Sequence, residues 1–84
     1  MSRFRSPQKE HLQYYKTFSI NLKYYRFRLE LTQKQVAQRA GVSAKYVSLL
    51  ERSTLEHVPS LETLFCLSDA LEIEPHRLFK ALQK

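Results

Sequence analysis

The sequence predicts an all-α domain of five helices, and three observations carry that prediction. Residues with cap or turn chemistry, Thr32, Gly41, Ser43, Ser60 and Glu74-Pro75, divide the chain into helix-length pieces. Between them apolar residues return every three or four positions, the helical period, rather than at every second position as in a strand. The only glycine of the 84 residues, Gly41, falls between two short amphipathic stretches at the spacing of a helix-turn-helix. A chain of this length makes one domain with one modest core.

The first core helix takes its inward stripe from Phe18, Leu22, Tyr25 and Leu29, with Arg26 at the edge of that stripe. Its opposite side carries a second apolar set, Ile20, Tyr24 and Phe27. Ahead of it, Ser6-Pro7 reads as an N-cap followed by a first-turn proline, so residues 7–16 are expected to hold a helical stretch whose Leu12 and Tyr15 can cover that second set. Residues 1–16 are accordingly read as a basic, partly helical extension, and 17–84 as the folded domain with its helix-turn-helix at 32–52.

Thr32-Gln33-Lys34-Gln35 is a capping box: the Thr32 hydroxyl accepts from the third residue on, and Gln35 answers the Thr32 N–H. A helix therefore starts at Gln33 and stops at Ala40, because Gly41 takes the left-handed conformation of a C-terminal cap at almost no steric cost. Val36, Ala37 and Ala40 gather on its inner side, and small Ala37 lets the next helix come close. Ser43 caps that helix, which is expected to run to about Arg52. Val47 and Leu50 point inward from it, while Ala44, Lys45, Ser48, Leu49 and Arg52 form the presented face. Ser60 caps a fourth helix with Leu61, Leu64, Leu67 and Leu71 turned to the core, and Pro75 opens a fifth at its first turn.

Charge is distributed unevenly. The net charge is +6, but residues 1–52 hold 11 Lys or Arg against 3 Asp or Glu, whereas residues 53–84 hold 3 against 5. The positive part coincides with the helix-turn-helix, and a polyanion is the partner such a distribution suits. A membrane span is excluded, since the longest apolar run, Leu64 to Leu67, is far short of the ~20 residues required. No signal peptide is visible at the N-terminus, which points to the cytoplasm. Cys66 is the single cysteine and reads as a small core residue. His11, His57 and His76 lie far apart, without Cys or His at ligand spacing, so no metal site is expected. No serine stands beside a histidine that would activate it, and one glycine makes no phosphate-binding loop. The chain is therefore read as a non-enzyme without cofactor or evident small-molecule ligand.

The residues Leu31-Thr32-Gln33, Ala37, Ala40-Gly41-Val42-Ser43, Tyr46-Val47-Ser48, Glu51-Arg52 and Pro59-Ser60-Leu61-Glu62-Thr63-Leu64 occur in the order of the Cro/cI-type (XRE family) helix-turn-helix proteins. The chain resembles that family over about residues 18 to 80. It departs from it at Glu30 and Ser53, where the family has glycine, and in the loop Thr54 to Val58, which is about two residues longer and carries Glu56 where the family often touches the DNA backbone.

The resemblance implies a lambda-repressor-like domain that binds double-stranded DNA, with helix 43–52 in the major groove. By the same resemblance Ala44, Lys45 and Leu49 meet bases, whereas Gln33, Ser43, Tyr46, Ser48 and Arg52 meet the phosphate backbone or buttress the helix. It also implies that Arg26 pairs with Glu51. A small transcriptional regulator follows, a dimeric repressor or controller acting in the cytoplasm at the nucleoid. The alternative is a protein-interaction adaptor or antitoxin-like module that keeps the fold, with a protein partner at Ile20, Tyr24 and Phe27. Two surfaces are open for a homodimer: that patch, and the C-terminal helix with Leu78, Phe79 and Leu82, to which the resemblance points. Arg3 and Arg5 around Phe4 read as a mobile basic arm, disordered without DNA or inserted in its minor groove.

Overall fold

No glycine or proline interrupts Leu12–Arg28, and these 17 residues form one long helix, α1. The computed structural model describes residues 8–52 and 58–82. The basic arm at residues 1–6, Ser53 and most of the loop with Glu56 lie outside the described residues. A 3-10 turn, Lys9–His11, leads straight into α1. The helical stretch expected within residues 7–16 is thus not a separate element: from Leu12 it is the start of α1, which continues past Lys16 and Thr17 without a bend signal. A continuous helix cannot fold back on itself, so Leu12 stays half exposed, Tyr15 packs against the main core instead, and Ile20, Tyr24 and Phe27 remain 49%, 38% and 61% exposed.

Three further helices follow: α2 (Gln33–Ala40), α3 (Ala44–Leu50) and α4 (Leu61–Leu71). Each begins at a side-chain cap. Thr32 Oγ1 accepts from the Gln35 N–H at 3.0 Å and Gln35 Oε1 accepts from the Thr32 N–H at 2.8 Å, which completes the capping box. Ser43 Oγ accepts from the Tyr46 N–H at 3.0 Å and Ser60 Oγ from the Thr63 N–H at 3.1 Å. Such caps contribute about 1 kcal/mol each.

Three of the four α-helix ends, those of α1, α2 and α4, share one geometry. Leu31 N–H bonds Arg26 C=O, Val42 N–H bonds Ala37 C=O and Ile73 N–H bonds Ser68 C=O, all at 3.0–3.1 Å. Each is the long hydrogen bond of a Schellman ending, which needs a left-handed residue just before the donor. Gly41 supplies it after α2 with φ 74°, whereas Glu30 (φ 57°) and Glu72 (φ 60°) supply it after α1 and α4. The turn the family makes with glycine is therefore kept here by a glutamate under strain.

The fifth helix is a 3-10 turn, Pro75–Phe79, rather than an α-helix. Asn21 accounts for the difference. From inside α1 its Nδ2 reaches the carbonyl oxygens of Arg77, Leu78 and Lys80 at 3.2, 2.9 and 2.7 Å. Those of Arg77 and Leu78 are acceptors that an α-helix would pair with N–H groups four residues on. Leu78 enters the core completely, and Phe79 stacks on Phe18 with ring centroids 5.8 Å apart while one face stays exposed.

The core gathers Phe18 and Leu22 of α1, Val36, Ala37 and Ala40 of α2, Val47 and Leu50 of α3, Leu67, Ala70 and Leu71 of α4, and Leu78. Leu61 corrects the expected inward row of α4, since it is 68% exposed. The buried side of α4 is set instead by Leu64, Leu67, Ser68 and Leu71. Ser68 is tolerated there because its hydroxyl donates to the Leu64 carbonyl at 2.8 Å. Packing of α2 against both α3 and α4 leaves α3 at one side of the molecule with one face free.

Candidate nucleic-acid interface

The position of α3 follows from three attachments. Val47 and Leu50 bury its inner face, and Ala37, itself buried, gives the close approach of α2. Ser19 Oγ, inside α1, donates to the Leu50 carbonyl at 2.7 Å. This satisfies a carbonyl at the end of α3 that lacks an intrahelical partner. Arg26 of α1 grips Glu51, the residue after α3, through Nε to Oε2 at 2.6 Å and Nη2 to Oε1 at 2.9 Å. The third nitrogen, Nη1, donates to the Leu31 carbonyl at 2.8 Å, so one guanidinium joins α1, the entry to α2 and the end of α3. Both side chains are nearly inaccessible. A bidentate geometry of this kind fixes an angle as well as a distance.

The outer face of α3 is free of such duties. Ala44 and Lys45 are exposed and Leu49 is partly exposed, and these are the three residues expected to meet bases. The five residues expected at the DNA backbone separate into two kinds. Arg52 is exposed and, with Ser48 and Gln33, lines a groove that runs between α3 and α1. Ser43 and Tyr46 belong more to the scaffold: the Ser43 oxygen caps α3, leaving its O–H to donate elsewhere, and Tyr46 packs against the core. Gln33 lies between the two kinds, since its Nε2 donates to Glu51 Oε1 at 2.9 Å. One amide hydrogen is thus committed to the buried pair, and the second remains for a ligand.

The groove also contains Lys23, which the sequence reading missed. Ile20 and Lys23 of α1 form its far wall, with Ser19 and Glu51 in its floor. The signal for Lys23 was its place three residues before Arg26 in a helix without acidic residues. The groove thus collects Lys23, Arg52 and the side-chain amide of Gln33, the first residue of α2. An oxyanion fits this arrangement chemically. Among the described residues, no group of three or more His, Cys, Asp or Glu is placed to hold a metal ion. No described helix is long and apolar enough to cross a membrane.

The fold recurs in solved structures. The restriction-modification controller protein C.AhdI from Aeromonas hydrophila is 32% identical, with a TM-score of 0.71 over 77% of this chain and 96% of that one. The P22 c2 repressor, solved with a synthetic operator, is also 32% identical, with a TM-score of 0.68 over the same shares, 77% and 96%. SinR, a master regulator for biofilm formation solved in complex with DNA, is 30% identical over 75% of this chain and 98% of that one, with a TM-score of 0.69. No curated protein matches the sequence. The helix-turn-helix family model HTH_3 matches residues 22–78, which spans α2 and α3 and most of the core around them. The chain belongs to this family, the Cro/cI-type or XRE-type helix-turn-helix proteins.

Proposed function

We infer that this protein is a transcriptional regulator that binds double-stranded DNA with α3 in the major groove. The observation that carries the reading is the contrast between the two faces of α3. Its inner face is anchored by Leu50, Val47 and the Arg26–Glu51 pair, while Ala44, Lys45 and Leu49 on the outer face have no part in the fold. An α-helix fits the major groove, where each base pair presents its own donors and acceptors. Lys45 donates to guanine O6 and N7, and Ala44 and Leu49 pack on thymine methyl groups. Gln33, Ser48, Arg52 and the Ser43 hydroxyl contact phosphates, Lys23 joins them from α1, and Tyr46 buttresses the helix. The P22 c2 repressor and SinR structures contain DNA, which supports the same use of this fold.

One lysine and two apolar contacts read few base pairs, so a strong site needs two copies. The homodimer forms through the C-terminal surface, where Phe79 and Leu82 are exposed and where Phe79 lies with exposed Tyr14 and Val58 around one hollow. An apolar hollow of ≈ 320 Å³ between His11, Phe18, Leu64 and Phe79 there accepts a side chain of the second copy. Two recognition helices then sit about 34 Å apart, one turn of DNA. The simplest activity is that of a repressor or controller that occludes a promoter, in the cytoplasm at the nucleoid.

Guanine-N7 methylation interference on a duplex selected for binding tests major-groove reading. Interference at guanines in two half-sites one turn apart is expected, and binding indifferent to N7 methylation contradicts it. Sedimentation of the complex reads the copy number, and a Leu82→Glu variant is expected to sediment as a monomer.

A further inference from the structure

Helix α1 carries two apolar faces, and the fold buries only one. Phe18 and Leu22 are in the core, whereas Ile20, Tyr24 and Phe27 follow one another at helical spacing along the opposite side and are exposed. Lys16, Lys23 and Arg28, all exposed, border this stripe, and α1 contains no Asp or Glu from Leu12 to Arg28. The Arg28 guanidinium lies 6.0 Å from the centre of the Tyr24 ring, and that of Arg26 lies 4.6 Å from the Phe27 ring. The face is therefore apolar along its centre and cationic along both edges.

Charge decides among the occupants of such a face. A second copy of the chain would set three cations against three, which like-charge repulsion opposes. The DNA backbone would neutralise the cations but leave three large apolar side chains without contact. A helix with an apolar stripe and acidic flanks satisfies both parts at once: its stripe packs on Ile20, Tyr24 and Phe27, and its carboxylates reach Lys16, Lys23 and Arg28.

We propose that the exposed face of α1 is the docking site for an acidic amphipathic helix of another protein, and that this helix displaces DNA. Displacement follows from shared residues, since Ile20 and Lys23 also line the groove with Gln33, Ser48 and Arg52. Carboxylates of the docked helix then stand where phosphates would. The docking site stands on the geometry of α1 alone, while the displacement rests on the DNA-binding reading above.

The test uses a synthetic helical peptide with leucines on one stripe and glutamates on its flanks, and a control with lysines in place of the glutamates. Each is titrated into the isotope-labelled full chain, with and without a fluorescent DNA duplex. The acidic peptide is expected to shift amide resonances at the exposed positions of α1 between Gln13 and Arg28, and to release the duplex. The lysine peptide is expected not to bind. Binding should weaken by about tenfold or more, ~1.4 kcal/mol or more, in Tyr24→Ser with Phe27→Ser, and again in Lys16→Glu with Arg28→Glu. These are surface substitutions, and circular dichroism checks the fold of each variant. Shifts centred on Phe65 and Phe79, or no binding at millimolar peptide, overturn the proposal. Loss of DNA affinity in the Tyr24→Ser, Phe27→Ser variant assigns the face to DNA and overturns it too. Peptide bound on α1 by a chain that takes no DNA upholds the docking site and refutes the displacement with the DNA-binding reading.

Discussion

Arg26 and Glu51 are joined by two parallel hydrogen bonds, 2.6 and 2.9 Å long, in a nearly inaccessible site, and Gln33 adds a third donor to the same carboxylate at 2.9 Å. The contact fixes how α3 leaves the body of the domain, so the angle presented to a ligand is set from α1. Glu51→Gln removes the charge and leaves Arg26 buried without a counterion. The expected loss is about 3–5 kcal/mol of stability, read as a lower thermal midpoint. An unchanged midpoint refutes the role given to the pair. Arg26→Lys is expected to be costly as well, because an ammonium cannot make the bidentate contact.

Glu30 and Glu72 hold left-handed backbone conformations that glycine adopts freely. A left-handed residue with a side chain costs roughly 1–2 kcal/mol, against which glycine loses more entropy on folding. Glu30→Gly is therefore expected to stabilise the domain by about 0.5–1 kcal/mol. At roughly 4–8 °C per kcal/mol for a domain of this size, the gain is readable as a rise of a few degrees in Tm. Gly41→Ala is the converse test. A Cβ at Gly41 meets nothing within 4 Å, so any loss of stability measures backbone strain alone, at about 1 kcal/mol.

Asn21 ties the C-terminal turn to α1 through three carbonyl groups. Asn21→Ala leaves those acceptors without this donor, a loss of about 1–3 kcal/mol. It also releases the segment that carries Phe79 and Leu82. The expected result is a lower thermal midpoint together with weaker self-association in sedimentation. A variant with lower stability and unchanged association separates the turn from the dimer surface.

Much of this structure was legible in the chain. The capping box at Thr32 and the caps at Ser43 and Ser60 are local chemistry, decided within four residues, and the helices begin where those residues place them. The groups that depend on distant partners were not legible. Asn21 and Ser19 carry no local signal, because their acceptors lie at Leu78 and Leu50, far along the chain. For the same reason the last helix was expected to be α rather than 3-10, and Leu61 was expected inside. Of the candidate interface, the exposed face of α3 was legible from helical periodicity, while Lys23 entered only when folding brought α1 alongside Gln33 and Arg52.

In the proposed function the outer face of α3 and the adjoining groove bind the bases and phosphates of DNA. The decisive experiment is fluorescence anisotropy of a labelled duplex across a salt series, with Lys23→Ala, Lys45→Ala and Arg52→Ala alongside the native chain. Affinity is expected to fall linearly with salt on logarithmic axes, and each phosphate-contacting cation removed should lower the slope by about 1. Lys45→Ala should instead weaken discrimination between duplexes, by about 1–3 kcal/mol at the base it reads. A folded protein that binds no duplex at low salt, or whose affinity is unmoved by all three substitutions, contradicts the account.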